Sequence, residues 1–154
     1  MRRVTTVLSA GNWPADAAVG EVTLAFDQRH RRRIRMTDDA GEPFLLDLAK
    51  AVVLADGDGL ALDGDGFIRV RAAAEPVADV RAETAAETAR LAWHIGNRHT
   101  TMQVLADGTL RIHDDHVLVA MLEGLGAFVT RRLAPFTPEP GAYAGAGDGH
   151  GHDH

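Results

Sequence analysis

The chain has 154 residues, 45% of them hydrophobic and 25% charged, which suits one ordinary globular domain or two small ones and argues against disorder or a fibrous repeat. It contains no cysteine, so disulfides, thiolate zinc sites, iron-sulfur clusters and cysteine nucleophiles are excluded together, and any metal must be held by nitrogen and oxygen. A formal net charge of -6 repels nucleic acid and anionic membranes, so binding to either would require a local basic patch.

The opening residues Met1 to Leu8 are followed too soon by Asn12, Pro14 and Asp16 to supply the apolar core of a signal peptide. No stretch approaches the ~18 apolar residues of a membrane span, and a cytoplasmic protein is the expectation. Up to about residue 74 the chain reads as short strands cut by glycine and aspartate: Val19 to Phe26, Ile34 to Thr37, Phe44 to Leu48, Val52 to Leu54 and Phe67 to Val70. In the first of these Val22, Leu24 and Phe26 alternate with Glu21, Thr23 and Ala25, the period of a strand with one buried face. The Asp-Gly pairs at 56 to 59 and 63 to 66 read as turns, because glycine accepts positive φ and aspartate bonds its own backbone. They lack the third acidic position, the loop-closing glutamate and the flanking helices of a calcium-binding EF-hand. Residues 1–74 are therefore expected to form a small all-β domain.

Pro76 forces the residue before it toward an extended conformation and suggests a boundary near Ala74 and Glu75. Beyond it the apolar period changes. Val77 to Val80 predicts a strand. Thr84 and Glu87 have capping-box spacing and predict a helix over about 85 to 95, with Gly96 and Asn97 as its stop. Strands follow at Thr101 to Leu105 and Leu110 to His113. Asp114 or Asp115 then caps a helix whose Val117, Leu118, Met121, Leu122 and Leu125 recur at helical spacing, with Gly124 and Gly126 at its end. Phe128 to Leu133 predicts a last strand. The order β-α-β-β-α-β over residues 75–138 is that of a ferredoxin-like domain, so the fold class is α+β. Residues 139–154, rich in proline, glycine and alanine, are expected to form a flexible, disordered His-rich tail.

Candidate chemistry centres on histidine. His150, His152 and His154 alternate with glycine and aspartate, which lets a pliant backbone fold two imidazoles onto one ion. His94 and His99 would stand about 140° apart on a continuous helix and cannot chelate one ion from it. The expected stop at Gly96 and Asn97 puts His99 on a loop, where an isolated histidine is either a ligand or merely solvated. His113 ends a strand. His116 falls in a helix's first turn, where the dipole disfavours its positive form, and is expected in a core or cap role. The basic run Arg29 to Arg35 reads either as a phosphate-binding or nucleic-acid-binding strip or as the solvated face and edge of a strand, where arginines discourage sheet-to-sheet aggregation. Catalytic machinery is thin: Ser9 is the sole serine and lies outside any G-x-S-x-G context, and no glycine-rich loop leads into Lys-Ser or Lys-Thr. A carrier is favoured over an enzyme.

Several stretches together resemble the UreE family of urease accessory proteins, which are nickel metallochaperones. They are Phe44 to Asp58, Glu75 to Val77, the His94-Ile-Gly-Asn-Arg-His99 box, Gln103, Leu110 to His113, Asp115 to Leu118, Met121 to Gly126, Ala134 to Tyr143 and the histidine tail. The resemblance implies an N-terminal domain that contacts partner proteins and a ferredoxin-like domain that binds nickel and forms a homodimer. It implies that His99 is the principal ligand, meeting its own copy near the two-fold axis. His113 would be a secondary ligand, and His152 or His154, with His150, would complete the shell. Asp115 stands where the family has a second auxiliary histidine, and His94 would be structural. The cargo would be Ni(II), with Zn(II) and Cu(II) also suited to imidazole. The implied partners are an accessory GTPase and the urease maturation complex.

Overall fold

In the computed structural model, which describes residues 1–141, the chain falls into two units, Met1–Ala73 and Ala74–Gly141. The tail histidines His150, His152 and His154 lie outside the described residues.

The first unit is built of β1 (Arg2–Leu8), a 3-10 turn (Ala15–Ala17), β2 (Ala18–Leu24), the short helix α1 (Phe26–Arg29), β3 (His30–Thr37), β4 (Pro43–Val53), β5 (Gly59–Leu62) and β6 (Phe67–Ala72). The six strands form one sheet in the order β2-β6-β5-β1-β4-β3, with β1/β4 and β2/β6 parallel and the other pairs antiparallel. Alternation along β4 sends Phe44, Leu46 and Leu48 into the core, where they meet Val22 and Leu24 of β2 and Met36 of β3. Because both edge strands feed one core, the sheet must curl over its own apolar face.

Several expectations are corrected here. The run Val19 to Phe26 is a strand only to Leu24. Phe26 opens α1, whose turn is closed by the Gln28 carboxamide oxygen accepting from the Ala25 N–H at 3.1 Å. The separate stretches Phe44 to Leu48 and Val52 to Leu54 fall on one long β4 that ends at Val53, and the break between them survives as a bulge in β4: Arg31 pairs with Val52 and Arg33 with Asp47, so residues 48–51 stand against Arg32 alone. Strands β1 and β5 had no sequence signal. Of β1 only Val4 is buried. Strand β5 begins on Gly59, where an added Cβ would stand 2.6 Å from the Trp13 ring, so the glycine is there for close approach. The Asp-Gly pairs are turns as expected: Gly57, Gly64 and Gly66 have φ of +88°, +103° and +88°. Asp58 accepts from Ala55 N and Ala10 N at 2.9 and 3.2 Å.

The second unit comprises β7 (Ala74–Arg81), α2 (Ala85–Asn97), β8 (Gln103–Val104), β9 (Leu110–His113), α3 (His116–Gly124) and β10 (Phe128–Pro135). Its sheet runs β10-β7-β9-β8, all antiparallel. In the unit's own strand numbering that order is 4-1-3-2, the ferredoxin-like arrangement. Leu91 and Ile95 of α2 and Leu118, Val119 and Leu122 of α3 pack on one sheet face with Ala78, Val80, Leu110 and Ile112. Thr84 caps α2 by accepting from Glu87 N at 3.1 Å, and Asp115 rather than Asp114 caps α3, accepting from Val117 N and Leu118 N. Pro76 lies inside β7, at a position where β9 supplies no ladder partner and the Pro76 carbonyl accepts from Asp114 N.

The opposite sheet face is polar and covered. Asp79 and Arg111, paired across β7 and β9, form a two-point ion pair at 2.7 and 3.0 Å, and Arg132 adds a third bond to Asp79 at 3.2 Å. Arg111 holds the Asp79 carboxyl below its ordinary 3.8, aided by Arg132 and opposed by burial. The chain after β10 then straps this face. Arg111 donates to Pro135 O, Phe136 is fully buried, and Thr137 N donates to the Gln103 side chain. Glu139 N donates to Met102 O, and the Glu139 carboxylate accepts from Val104 N. Glu139, expected to start the flexible tail, is therefore fastened to β8.

Candidate metal centre

Helix α2 runs through Gly96 and Asn97, two residues beyond the expected helix end, because the stop is made further on. Thr100 N donates to Ile95 O at 3.4 Å and His99 N to Gly96 O at 2.9 Å. These are the two bonds of a Schellman ending, with Arg98 as C-cap and His99 as the residue that must turn left-handed. His99 does so at φ 57°, the one non-glycine residue with positive φ among those described. Helix α3 ends on the same motif: Gly126 N donates to Glu123 O, Ala127 N to Leu122 O, and Gly126 has φ 96°. Two equivalent positions thus carry glycine in one helix and histidine in the other. A left-handed non-glycine residue costs about 1–2 kcal/mol, so the backbone alone would favour glycine at 99 as well. The His99 side chain is exposed, and among the described residues nothing bonds or stacks against it.

His113 is differently placed. It ends β9 opposite Val77, its ring nitrogen Nε2 lies 2.9 Å from Glu75 Oε1, and its ring lies 4.3 Å from that of Phe136. A carboxylate on one imidazole nitrogen fixes the ring and leaves Nδ1 as its remaining donor. Glu75 and Phe136 escaped sequence reasoning, since Glu75 reaches His113 only diagonally across the β7/β9 ladder, a relation visible once the register is known. His94 is partly buried and meets the Trp93 ring edge-on at 5.1 Å. His116 is exposed at the start of α3, neither core nor cap, because Asp115 already satisfies the first-turn N–H groups.

Among the described residues no three histidine or carboxylate side chains converge as a metal-binding group. Of the two described candidate ligands, His99 is bare and His113 is braced by Glu75. The basic run is likewise divided. Arg29 is fully buried, Arg33 shares Asp47 with Arg3, and Arg32 donates to Ala49 O. As β3 is an edge strand, the protective reading of these arginines fits its place.

A curled β unit followed by a ferredoxin-like unit with solvent-facing imidazoles defines a two-domain α+β class of protein. Its membership is specific. Residues 4–73 match the family model for the UreE urease accessory protein, N-terminal domain, and residues 75–154 match that for its C-terminal domain. The urease accessory protein UreE of Bradyrhizobium sp. (strain BTAi1 / ATCC BAA-1182) is 49% identical over 153 residues, covering 99% of this chain and 73% of the relative. That of Bradyrhizobium sp. (strain ORS 278) is 50% identical over 151 residues, with 98% and 71% covered. That of Rhodobacter capsulatus is 46% identical over 154 residues, with 100% and 94% covered. The chain belongs to the UreE family of urease accessory proteins.

Proposed function

We propose that this protein takes part in urease maturation as a nickel metallochaperone, carrying Ni(II) as cargo and releasing it to the urease maturation complex through an accessory GTPase. The observation that carries the reading is His99. A histidine occupies a left-handed helix terminus where the sister helix uses glycine, its backbone is fixed by two hydrogen bonds, and its imidazole is unengaged. Strain kept at one position alongside a free metal-binding side chain is the pattern of a functional residue.

One imidazole binds a divalent ion weakly. The ferredoxin-like domain forms a homodimer in this reading, so that His99 and its symmetry copy supply two ligands from one position. His150, His152 and His154 supply further nitrogen donors, and His113, braced by Glu75, is an auxiliary site. The N-terminal domain serves partner contact. Zn(II) and Cu(II) compete for the same imidazoles, so nickel selectivity rests on geometry and supply. A site with few ligands from the folded chain also exchanges its ion readily, which suits delivery. Among the described residues no helix is long and apolar enough to cross a membrane, and a cytoplasmic location accords with the role.

The test is a nickel titration of the full chain with native mass measured in parallel. One tight Ni(II) per two chains is expected, followed by weaker ions that disappear when residues 150–154 are removed. Tight binding to single chains would overturn the shared site.

A further inference from the structure

The cleft between β2 and β3, the two edge strands of the N-terminal sheet, is closed against a further strand. On the β2 side Asp39 N donates to Glu21 O at 2.7 Å, and the Asp39 carboxylate accepts from Thr23 N and Thr23 Oγ1 at 3.0 and 2.7 Å. Ala25 N donates to the Gln28 side-chain oxygen at 3.1 Å. What remains between the strands is a pocket of about 300 Å³, at the small end of ligand cavities. Val22, Leu24, Ile34 and Met36 supply its apolar wall.

Its polar lining consists of donors. Gln28, Arg31, Arg35 and Thr37 all border the pocket, and no carboxylate does. Because Ala25 N occupies the Gln28 oxygen, the carboxamide N–H groups are the part left for the pocket. The Arg31 Nε–H is buried with no hydrogen-bond partner, and among the described residues neither Arg31 nor Arg35 forms an ion pair. A buried guanidinium N–H without an acceptor is costly, and a bound oxyanion would relieve it. A phosphomonoester group, with about −1.5 to −2 charge near pH 7 and three acceptor oxygens, matches two guanidinium charges and this donor set. A carboxylate or a phosphodiester, each with a single negative charge, matches it less well.

We propose that this pocket binds a small phosphate compound, the free ion or a phosphomonoester, whose phosphate group is held by Arg31 and Arg35 with the Gln28 carboxamide and the Thr37 hydroxyl as further donors. The site separates Arg31 and Arg35 from the rest of the basic run, since Arg29 donates to Leu54 O, Arg32 to Ala49 O, and Arg33 pairs with Asp47. It lies wholly within the first unit and is independent of the metal reading.

The experiment titrates inorganic phosphate, and separately phenyl phosphate, into the full, metal-free chain at constant ionic strength, followed by backbone amide and arginine Nε–H NMR. Saturable shifts are expected at the Arg31 Nε–H and at the amides of Ile34 to Thr37, with a Kd of about 1 mM or tighter. Tighter binding of phenyl phosphate assigns the site to monoesters, and equal or weaker binding assigns it to the free ion; either result sustains the proposal. Arg35→Gln should weaken binding by about tenfold or more. Gln28→Glu keeps an oxygen for Ala25 N but replaces the amide donor with a negative oxygen, and should abolish binding. Both side chains are exposed, so these two variants keep the test decisive if a change at Arg31 fails to fold. Shifts that do not saturate, shifts confined elsewhere, or benzoate binding as tightly at the same residues would each overturn the proposal, as would unchanged affinity in Arg35→Gln or Gln28→Glu.

Discussion

Removing the Asp79 carboxylate should be among the more damaging single changes in the second unit. Asp79 and Arg111 side chains are 6% and 11% exposed, their two bonds measure 2.7 and 3.0 Å, and the same guanidinium holds Pro135 O at the root of the strap. Asp79→Ala leaves Arg111 buried without its counter-charge, a change that costs about 3–5 kcal/mol. Arg132, more than half exposed, adds little to this figure. The double variant Asp79→Ala with Arg111→Met removes both charges and should recover at least about 1 kcal/mol relative to the sum of the single changes. Urea unfolding of metal-free protein at one fixed concentration measures this, since the proposed dimerisation would make stability concentration-dependent. A cost below about 1 kcal/mol for Asp79→Ala, or strict additivity in the double variant, would refute the assignment of this pair as the polar keystone of the sheet. The pH dependence follows in sign. Arg111 depresses the folded-state pKa of Asp79, so its contribution is complete above the unfolded value of 3.8 and is lost as pH falls from there through the lower folded value. Asp79→Asn should therefore show a flatter loss of stability than the wild type below about pH 4.

Three further outcomes are expected. His99→Gly should stabilise the metal-free protein by about 0.5–1 kcal/mol, because glycine takes the left-handed turn without strain, whereas His99→Ala should not; thermal unfolding distinguishes them. Gly59→Ala should destabilise by at least about 1 kcal/mol, since the new methyl would stand 2.6 Å from the Trp13 ring, and indole fluorescence should report the displaced ring. Glu75→Gln should leave the fold intact but lower nickel stoichiometry at the auxiliary site, because the His113 ring loses its carboxylate brace.

The C-terminal unit was the more legible. The Thr84 cap, the Asp115 cap and the helical spacing of Leu118 and Leu122 are local signals, and local signals survive folding unchanged. The N-terminal strands were harder because their partners are remote. Arg2–Leu8 becomes a strand by pairing with Pro43–Val53 and Gly59–Leu62, a relation invisible within a short window. Alternation in Val22 to Phe26 overshot into α1, since a turn closed by one glutamine side chain leaves no trace in hydrophobic periodicity. At the candidate centre the sequence indicated His99 and His113. The left-handed strain of the first and the Glu75 brace of the second depend on helix-end geometry and strand register.

Nickel calorimetry on His99→Gly beside the wild type tests the central claim most directly, because this variant removes the imidazole while easing the backbone, so a loss of binding cannot be blamed on a weakened fold. The account predicts that the tight nickel site disappears while the protein is at least as stable as before. Retention of that site with unchanged affinity would contradict it.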